Sequence, residues 1–291
     1  MKEALNEFRI TGFLKSKDLK AQKTKSGRDA IMGSLTVEVN EGGRVHNHRV
    51  ELFSFKETKD GKPNGIYASY ETIMNEYKDR DHFCDEADYI SVNGSLDYNV
   101  YKGADGKAHE GTRFRGRFAN RVSNYENHLQ ESTANVSMIV DDYEEEIRDD
   151  KPTGMVKIKA YTAGYNGRGI KLIGLKTKTA NNVHTQVPAG TTLETTLQLN
   201  NYVVVKREEK ANSDALFGTM KSVVESNSYV RNNEMISARM PEEQYTPEDL
   251  QALKKSVREQ ISEAEARQAT SSKPKATTPA QNEAINNALP F

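Results

Sequence analysis

Five segments of alternating apolar and polar residues follow one another between Phe8 and Val122. Alternation with a period of two is typical of strands that bury one face. After the third segment the spacing becomes helical, and Asn64 can cap a helix that reaches Tyr77. This half of the chain therefore predicts three strands, a helix and two strands. The predicted strands are Phe8–Leu14, Ile31–Val39, Val45–Phe55, Ile90–Tyr101 and Thr112–Val122.

The same strand count returns after about Gln130, without a residue-level repeat. A helix between the third and fourth of five short strands is typical of a five-stranded barrel of the OB type. We therefore expect a mostly β fold with two OB-like barrels in tandem, over residues 1–130 and 131–240. The predicted strands of the second half are Ala134–Val140, Gly154–Ala163, Gly169–Thr177, Thr192–Val205 and one within Phe217–Ala238.

The C-terminal part contains a helix and then a tail. Thr246 and Pro247 form a helix start, and a narrow apolar stripe predicts a helix within residues 241–267. From residue 268 the composition shifts to Ala, Thr, Ser, Lys, Pro, Gln and Asn, which predicts a disordered tail over 268–291.

Composition limits the class of protein. The chain has 291 residues, 41 Lys and Arg, 42 Asp and Glu, and one cysteine. The single Cys84 excludes a disulfide framework and is more typical of a small buried side chain than of a nucleophile. No segment has the length and apolarity of a membrane span or a signal peptide. We expect a cytoplasmic protein, in the host cytoplasm if a phage encodes it.

The first charged feature is a basic loop after the first predicted strand. Residues 15–28 carry six basic side chains against one acid, a net charge of +5. Such a loop flanks the binding groove of an OB barrel and could neutralise phosphates, although a solvated hairpin explains it equally well. Its candidate contacts are Lys15, Lys17, Lys20, Lys23, Lys25 and Arg28.

The second feature is a row of arginines on the fifth predicted strand. Strand alternation places them on one face, with Phe114 and Phe118 on the other, core-facing side. An arginine face without acids repels itself unless an anion meets it, which favours phosphate contact over a solvated face. The row consists of Arg113, Arg115, Arg117 and Arg121.

The third feature is the pairing of aromatic residues with cations near strand ends. Single-strand binders stack bases on exposed rings beside positive charges. Phe55 lies next to Lys56 and on the same strand as Arg49, and Tyr101 precedes Lys102. Phe53 and Tyr98 are weaker candidates, and any one of these rings could instead belong to the core.

Residues 141–150 carry seven acids against one arginine. A solvated loop of the second barrel is the favoured interpretation; repulsion of DNA, docking on the basic first half and a carboxylate metal site are alternatives. His46 and His48 are too few ligands for zinc. Because no nucleotide-binding, zinc-hydrolase or serine-hydrolase motif occurs, we expect no cofactor, no metal and no enzymatic activity.

Several segments together carry a resemblance. They are GMVKIKAYTAGYNG at 154–167, TLETTLQLNNYVVV at 192–205, Phe217-Gly218, the Pro- and Glu-led helix and the terminal Pro-Phe. With a basic loop, an Arg-rich strand and a polar tail, the chain resembles the OB-fold single-stranded DNA-binding proteins of bacteria and their phages, in a tandem, phage-like form.

That resemblance implies a non-enzymatic protein that coats single-stranded DNA in replication or recombination. It also implies that Leu289, Pro290 and Phe291 dock on replication or recombination proteins, although the acidic run that precedes such a tip in bacterial members is missing here. A homo-oligomer is compatible with it. The alternative is a structural or protein-interaction barrel, such as a virion component or an inhibitor of a host factor. The sequence does not separate DNA from RNA.

Overall fold

The computed structural model describes residues 4–103, 107–123, 129–212 and 220–271. Within these ranges, strands dominate and all of them belong to one sheet. The strands are β1 Asn6–Lys23, β2 Asp29–Glu41, β3 Arg44–Phe55, β4 Tyr89–Lys102, β5 Ala108–Arg121, β6 Glu131–Arg148, β7 Lys151–Ala163, β8 Gly169–Lys171, β9 Leu175–Lys178, β10 Thr192–Asn212 and β11 Met220–Arg239. The helices are α1 Gly65–Glu76, α2 Arg80–Phe83, α3 Val183–Gln186 and α4 Pro247–Ser271.

The first five strands close into a barrel around a buried core. Strand β1 pairs with both β2 and β4, β2 pairs with β3, and β5 joins β3 to β4. Phe8, Ile10 and Leu35 are among its buried side chains, as the alternation of the sequence requires. The predicted order of three strands, a helix and two strands is confirmed.

The second half repeats this arrangement around β6. Strand β6 pairs with β7 and β10, β10 pairs with β11, and a parallel β9–β11 contact corresponds to the parallel β3–β5 contact of the first barrel. Strands β1 and β6 pair antiparallel and join the barrels. Outwards from the β1–β6 pair, corresponding strands of the two barrels follow in the same order. They are β4, β5 and β3 in the first barrel and β10, β11 and β9 in the second. The predicted fold class of two OB-like barrels is confirmed.

Several strands extend beyond their barrels as two-stranded arms, where the sequence predicts loops. The basic segment lies mostly in strands, because Leu14 to Lys23 pairs with β2 and the turn takes up only residues 24–28. The acidic segment likewise forms the β6–β7 hairpin, whose turn at Asp149 and Asp150 has positive φ angles. The predicted strand Gly169–Thr177 is two strands, separated by a turn at Gly174.

Helices α1 and α4 lie close to their predicted positions, whereas the sequence does not predict the short helices α2 and α3. The Asn64 side chain accepts a hydrogen bond from the Ile66 amide at 3.0 Å and caps α1. Helix α4 packs Leu253 and Val257 against the second barrel, where a Cβ on Gly169 would lie 2.3 Å from the Leu253 carbonyl oxygen. It continues to Ser271, four residues into the segment that the sequence assigns to the tail.

Three further predictions concern Cys84, membrane spans and the C-terminal tail. Cys84 is exposed, contrary to the expectation of a buried side chain, because it follows the short helix α2 at the surface. No helix in the described ranges is long and apolar enough to cross a membrane. Leu289, Pro290 and Phe291 lie outside the residues that the structure describes.

Candidate nucleic-acid interface

The outer face of β3 carries two aromatic rings beside a cation. Phe53 is 46% exposed and Phe55 is half-buried, and their ring centroids lie 4.9 Å apart in an edge-to-face contact. The Arg28 guanidinium lies over the Phe55 ring at 3.9 Å and also donates to the Glu57 carbonyl oxygen at 3.0 Å. Lys56 follows at the strand end and is exposed. Strand β3 therefore presents a stacking surface beside positive charge.

The lysines of the β1–β2 arm divide by position. Near the barrel, the Lys17 Nζ donates to the carbonyl oxygens of Ile73, Met74 and Tyr77 at 3.1, 2.8 and 2.5 Å. It therefore satisfies the C-terminal end of α1, and burial lowers its pKa. Lys15 lies 3.9 Å from Glu38.

Towards the tip of the arm, the side chains are exposed. Lys20 forms an ion pair with Asp18 at 3.2 Å. Lys23 and Lys25 form no ion pair within the described part of the chain. Of the predicted basic segment, the tip is therefore the part with charge to offer a phosphate.

The arginine row of β5 is largely neutralised by acids of the neighbouring strand. Arg113 and Arg115 both contact Asp97 Oδ2, at 2.9 and 2.6 Å, and Arg113 also lies 3.5 Å from Glu51. Burial raises the pKa of Asp97, but the charge of Arg115 and the hydrogen bonds from Arg113 and Arg115 outweigh it, so that this pKa lies below its ordinary value.

Arg121 is similarly engaged, with an ion pair to Asp88 at 2.8 Å and a hydrogen bond to the Glu76 carbonyl oxygen. Asp97 and Asp88 are thus the anions that pair with the arginines of this row. The expectation of an arginine face without nearby acids is wrong. The sequence alone does not reveal these pairs, because Asp97 lies on β4 and Asp88 immediately before it, far from β5 in number although β4 pairs with β5.

A β-bulge at Arg117 changes which side chains of β5 face outwards. Asn93 lies opposite Phe118 and Gly94 opposite Gly116, so Arg117 is the extra residue. Beyond it, Ala119 is buried and Phe118 is 46% exposed, whereas Phe114 packs in the core as expected. The expectation of a core Phe118 is wrong for this reason. The Arg117 guanidinium lies 5.3 Å from the Phe118 ring, which adds a second cation–aromatic pair.

Tyr101 lies at a cleft between the two barrels. Its ring is 50% exposed and stacks on His109, with centroids 5.7 Å apart. The cleft has a volume of about 500 Å³ and also includes Arg49 and Arg113, so it brings together three predicted contacts. Lys102 belongs to β4, but its side chain lies outside the described part of the structure. The Arg49 Nε donates to the Ser34 hydroxyl at 3.1 Å.

The acidic hairpin pairs within its own half. Lys159 contacts Asp142 and Lys157 contacts Glu144, each at 3.0 Å, and Lys254 of α4 contacts Asp141 at 2.8 Å. These contacts do not dock it on the basic first half. In the described ranges, no group of three His, Cys, Asp or Glu side chains could hold a metal ion.

Some residues of the candidate interface cannot be identified from the sequence. Phe118 requires the bulge, and Arg231 of β11 reaches the cleft only because the second barrel lies beside the first. Arg9, with Arg115, Arg117 and Phe118, lines a separate groove of about 430 Å³. The local sequence signal is the run of Arg and Phe residues around Gly116. It does not reveal which residue is the extra one of the β-bulge.

Comparisons with solved structures place the fold among known ones. A deletion mutant of the single-stranded DNA binding protein from Thermus aquaticus matches with a TM-score of 0.51 and 15% identity, over 85% of this chain and 100% of that chain. The wild-type protein from Thermus aquaticus matches with a TM-score of 0.50 and 14% identity, over 84% and 97%. Mitochondrial single-stranded DNA binding protein from S. cerevisiae matches 43% of this chain and 99% of that chain, at 10% identity and a TM-score of 0.29.

At these identities the Thermus aquaticus structures show a shared fold. No curated protein sequence matches the chain. The family model YorF matches residues 4–267, which include both barrels and most of α4. The chain belongs to the YorF family.

Proposed function

We propose that this chain binds single-stranded DNA through its first barrel and catalyses no reaction. The observation that carries the proposal is the outward-facing set of rings and cations on β3 and β5. Phe53 and Phe55 lie beside Arg28, and Phe118 lies beside Arg117. Rings offer stacking to any base and the cations offer neutralisation to the backbone, which is the combination that sequence-tolerant single-strand binders use. The fold shared with the single-stranded DNA binding protein from Thermus aquaticus supports it.

The ion pairs of the β1–β2 arm and of β5 support a narrower set of contact residues than the sequence does. We propose Lys23, Lys25, Arg28, Phe53, Phe55, Lys56 and Arg117 as the principal contacts. Arg113, Arg115 and Arg121 contribute less, because each also holds an acid of β4 or its flank. Lys17 of β1 holds the C-terminal end of α1, so we do not propose it as a phosphate contact. The first barrel, residues 1–130, acts as the DNA-binding domain, and residues 131–240 form a second domain.

We further propose a cytoplasmic role in phage DNA replication or recombination, in which the protein coats single strands. Leu289, Pro290 and Phe291 then recruit a replication or recombination protein, since an apolar end on a polar tail has no core of its own. Pull-down of replication proteins by the full chain but not by a chain ending at Ala288 tests this role. Equal recovery by both chains contradicts it.

A matched pair of aromatic substitutions tests the DNA-binding proposal. Phe53 and Phe83 are equally exposed at 46%, but Phe83 lies on α2 beside Lys78. Phe53→Ala should weaken binding of a thymidine 30-mer by roughly 1–3 kcal/mol, the contribution of one stacked base. Phe83→Ala should leave it unchanged. Fluorescence anisotropy at low and high salt measures both, and absence of wild-type binding at low salt would favour a protein-interaction barrel instead.

A further inference from the structure

The cleft between the barrels is built by both halves of the chain. Its walls come from β3, β4 and β5 on one side and from β10, β11 and the turn before β9 on the other. The halves meet directly there, because His46 of β3 pairs with Tyr202 of β10. The volume of about 500 Å³ lies within the range of small-molecule and nucleotide pockets.

Positive charge remains in this cleft after its internal pairs are counted. Glu51 lies 3.5 Å from Arg113, and Glu110 forms an ion pair with Lys171. Arg49 and Arg231 contact only neutral groups in the described part of the chain, the Ser34 hydroxyl and the Thr112 carbonyl oxygen. One arginine from each half is therefore available for an anion, and guanidinium groups suit phosphate.

Two asparagines in the wall offer hydrogen bonds to a planar polar group. Asn200 and Asn232 lie opposite each other on β10 and β11, and the Asn200 amide nitrogen donates to the Asn232 side-chain oxygen at 3.0 Å. That single bond leaves one carbonyl oxygen and one amide group unused, whichever way the pair is oriented. An adjacent donor and acceptor match the edge of a nucleobase.

His48 adds an unsatisfied polar group to the wall. It is 1% exposed, and neither ring nitrogen has a hydrogen-bond partner among the described residues. A buried polar group without a partner costs free energy, which points to a wall that is completed by something else. Tyr101, with its half-exposed ring, provides a stacking surface in the same cleft.

We propose that this inter-barrel cleft holds one unstacked nucleotide of the bound strand. Arg49 and Arg231 hold its phosphate, Tyr101 stacks on the base, and the Asn200–Asn232 pair contacts the base edge. The inference rests on the proposed function and adds to it a preference among bases, because the amide pair does not fit all base edges equally.

Affinities for four homopolymeric 30-mers, of dA, dC, dG and dT, test the proposal by fluorescence anisotropy. The wild-type protein should discriminate between the best and the worst of them by at least about 5-fold, the lower end of what one good bidentate contact gives. Asn232→Ala should reduce that ratio by about 5-fold. Asn227→Ala, an asparagine further along the same strand on the exposed arm, should preserve it.

Arg231→Gln provides a second variant that keeps the amide pair. It should weaken the affinity for all four homopolymers by a similar factor and leave the ratio of the best to the worst affinity unchanged. Thermal melting of each variant shows whether it is folded. If the ratio is the same for the wild type and a folded Asn232→Ala variant, the cleft does not contact a base and the inference is overturned.

Two other outcomes separate the remaining explanations. If the wild type binds none of the four strands, the proposed function fails and not only this inference. Free dAMP or dTMP could also occupy the cleft, which NMR titration of the Asn232 side-chain amide detects. If a monophosphate binds there while strand affinity is insensitive to Asn232→Ala, the cleft is a small-molecule site and the inference is overturned.

Discussion

At the scale of residues, Asp97 controls how much charge the β5 arginines can offer. Its side chain is buried and contacts Arg113 and Arg115, and Arg168 of the second half lies 3.7 Å from its other oxygen. A folded-state pKa below the ordinary value means that this carboxylate stabilises the fold above about pH 4 and loses that contribution as the pH falls through the folded pKa.

Asp97→Asn should therefore have opposite effects on stability and on binding. We expect the free energy of unfolding to fall by about 2 kcal/mol, since hydrogen bonds to charged groups are lost. We expect affinity for a thymidine 30-mer to rise, because two arginines are released to contact phosphate. Urea unfolding and fluorescence anisotropy measure the two effects. Asp142→Asn, in the acidic hairpin of the second half, makes the same change of charge and is the control, and weaker binding by Asp97→Asn would contradict the idea.

We expect His48 to make the stability of the fold depend on pH in the mildly acidic range. Burial, together with the neighbouring His46 and Arg231, lowers its pKa to about 3. Between that value and about 6.5 the unfolded chain binds a proton that the folded chain excludes, so stability rises with pH across this window.

The expected change is a loss of about 1 kcal/mol in the free energy of unfolding between pH 7.5 and pH 5.5. His48→Phe should remove this part of the slope, because the aromatic ring remains and the titrating group does not. Urea unfolding of both proteins at the two pH values gives the comparison. An identical slope in the variant would assign the pH dependence to other groups.

At the scale of elements, the sequence predicts the strands inside the barrels better than it predicts the arms. Strands such as Ile31–Val39 bury one face, and burial requires the alternation that identifies them. The arms are solvated on both faces, so Lys20–Lys23 and the acidic hairpin have no such pattern. The arms form strands because each pairs with a partner strand. The sequence of one segment alone does not show which strand that partner is.

The same limit applies to the candidate site. Basic and aromatic residue types identify Arg28 and Phe55, which contact each other, and the half-exposed Tyr101 at the cleft. The ion pairs of Asp97, the bulge at Arg117 and the cleft contact of Arg231 depend on strand register, which is set by long-range pairing. The residue types could thus be predicted, but not which cations are free.

The tip of the β1–β2 arm should control the salt dependence of binding. Lys23 and Lys25 are exposed there. Replacing both with alanine should reduce the slope of log affinity against log salt by about 1.4, at about 0.7 for each single-strand phosphate released. The control replaces Lys157 and Lys159, which hold acids of the second half. An unchanged slope in the arm variant would remove the tip from the interface.

At the scale of the whole molecule, the β1–β6 pair makes the two barrels one sheet. Val136 of β6 lies opposite Asn6 of β1 and is fully buried. Shared burial of this kind couples the stability of the two barrels, so we expect one cooperative unfolding transition rather than two.

Val136→Ala should lower the free energy of unfolding by about 2 kcal/mol and should weaken both barrels together. Hydrogen exchange measured by mass spectrometry should show faster exchange in β4 of the first barrel and in β10 of the second. Val203→Ala, on the exposed arm of β10, should change neither. Faster exchange confined to the second barrel would show that the barrels unfold separately.

The antiparallel β1–β6 pair, with its mirrored strand order, has a consequence for the direction of a bound strand. Barrels related in this way present corresponding grooves in opposite directions. A nucleic acid has a 5′ and a 3′ end, so a strand that passes straight over both barrels meets the second in reversed polarity. One arrangement of contact residues therefore cannot bind the strand in the same way in both barrels. The basic arm lies in the first half and the acidic hairpin in the second, which fits two barrels with different functions.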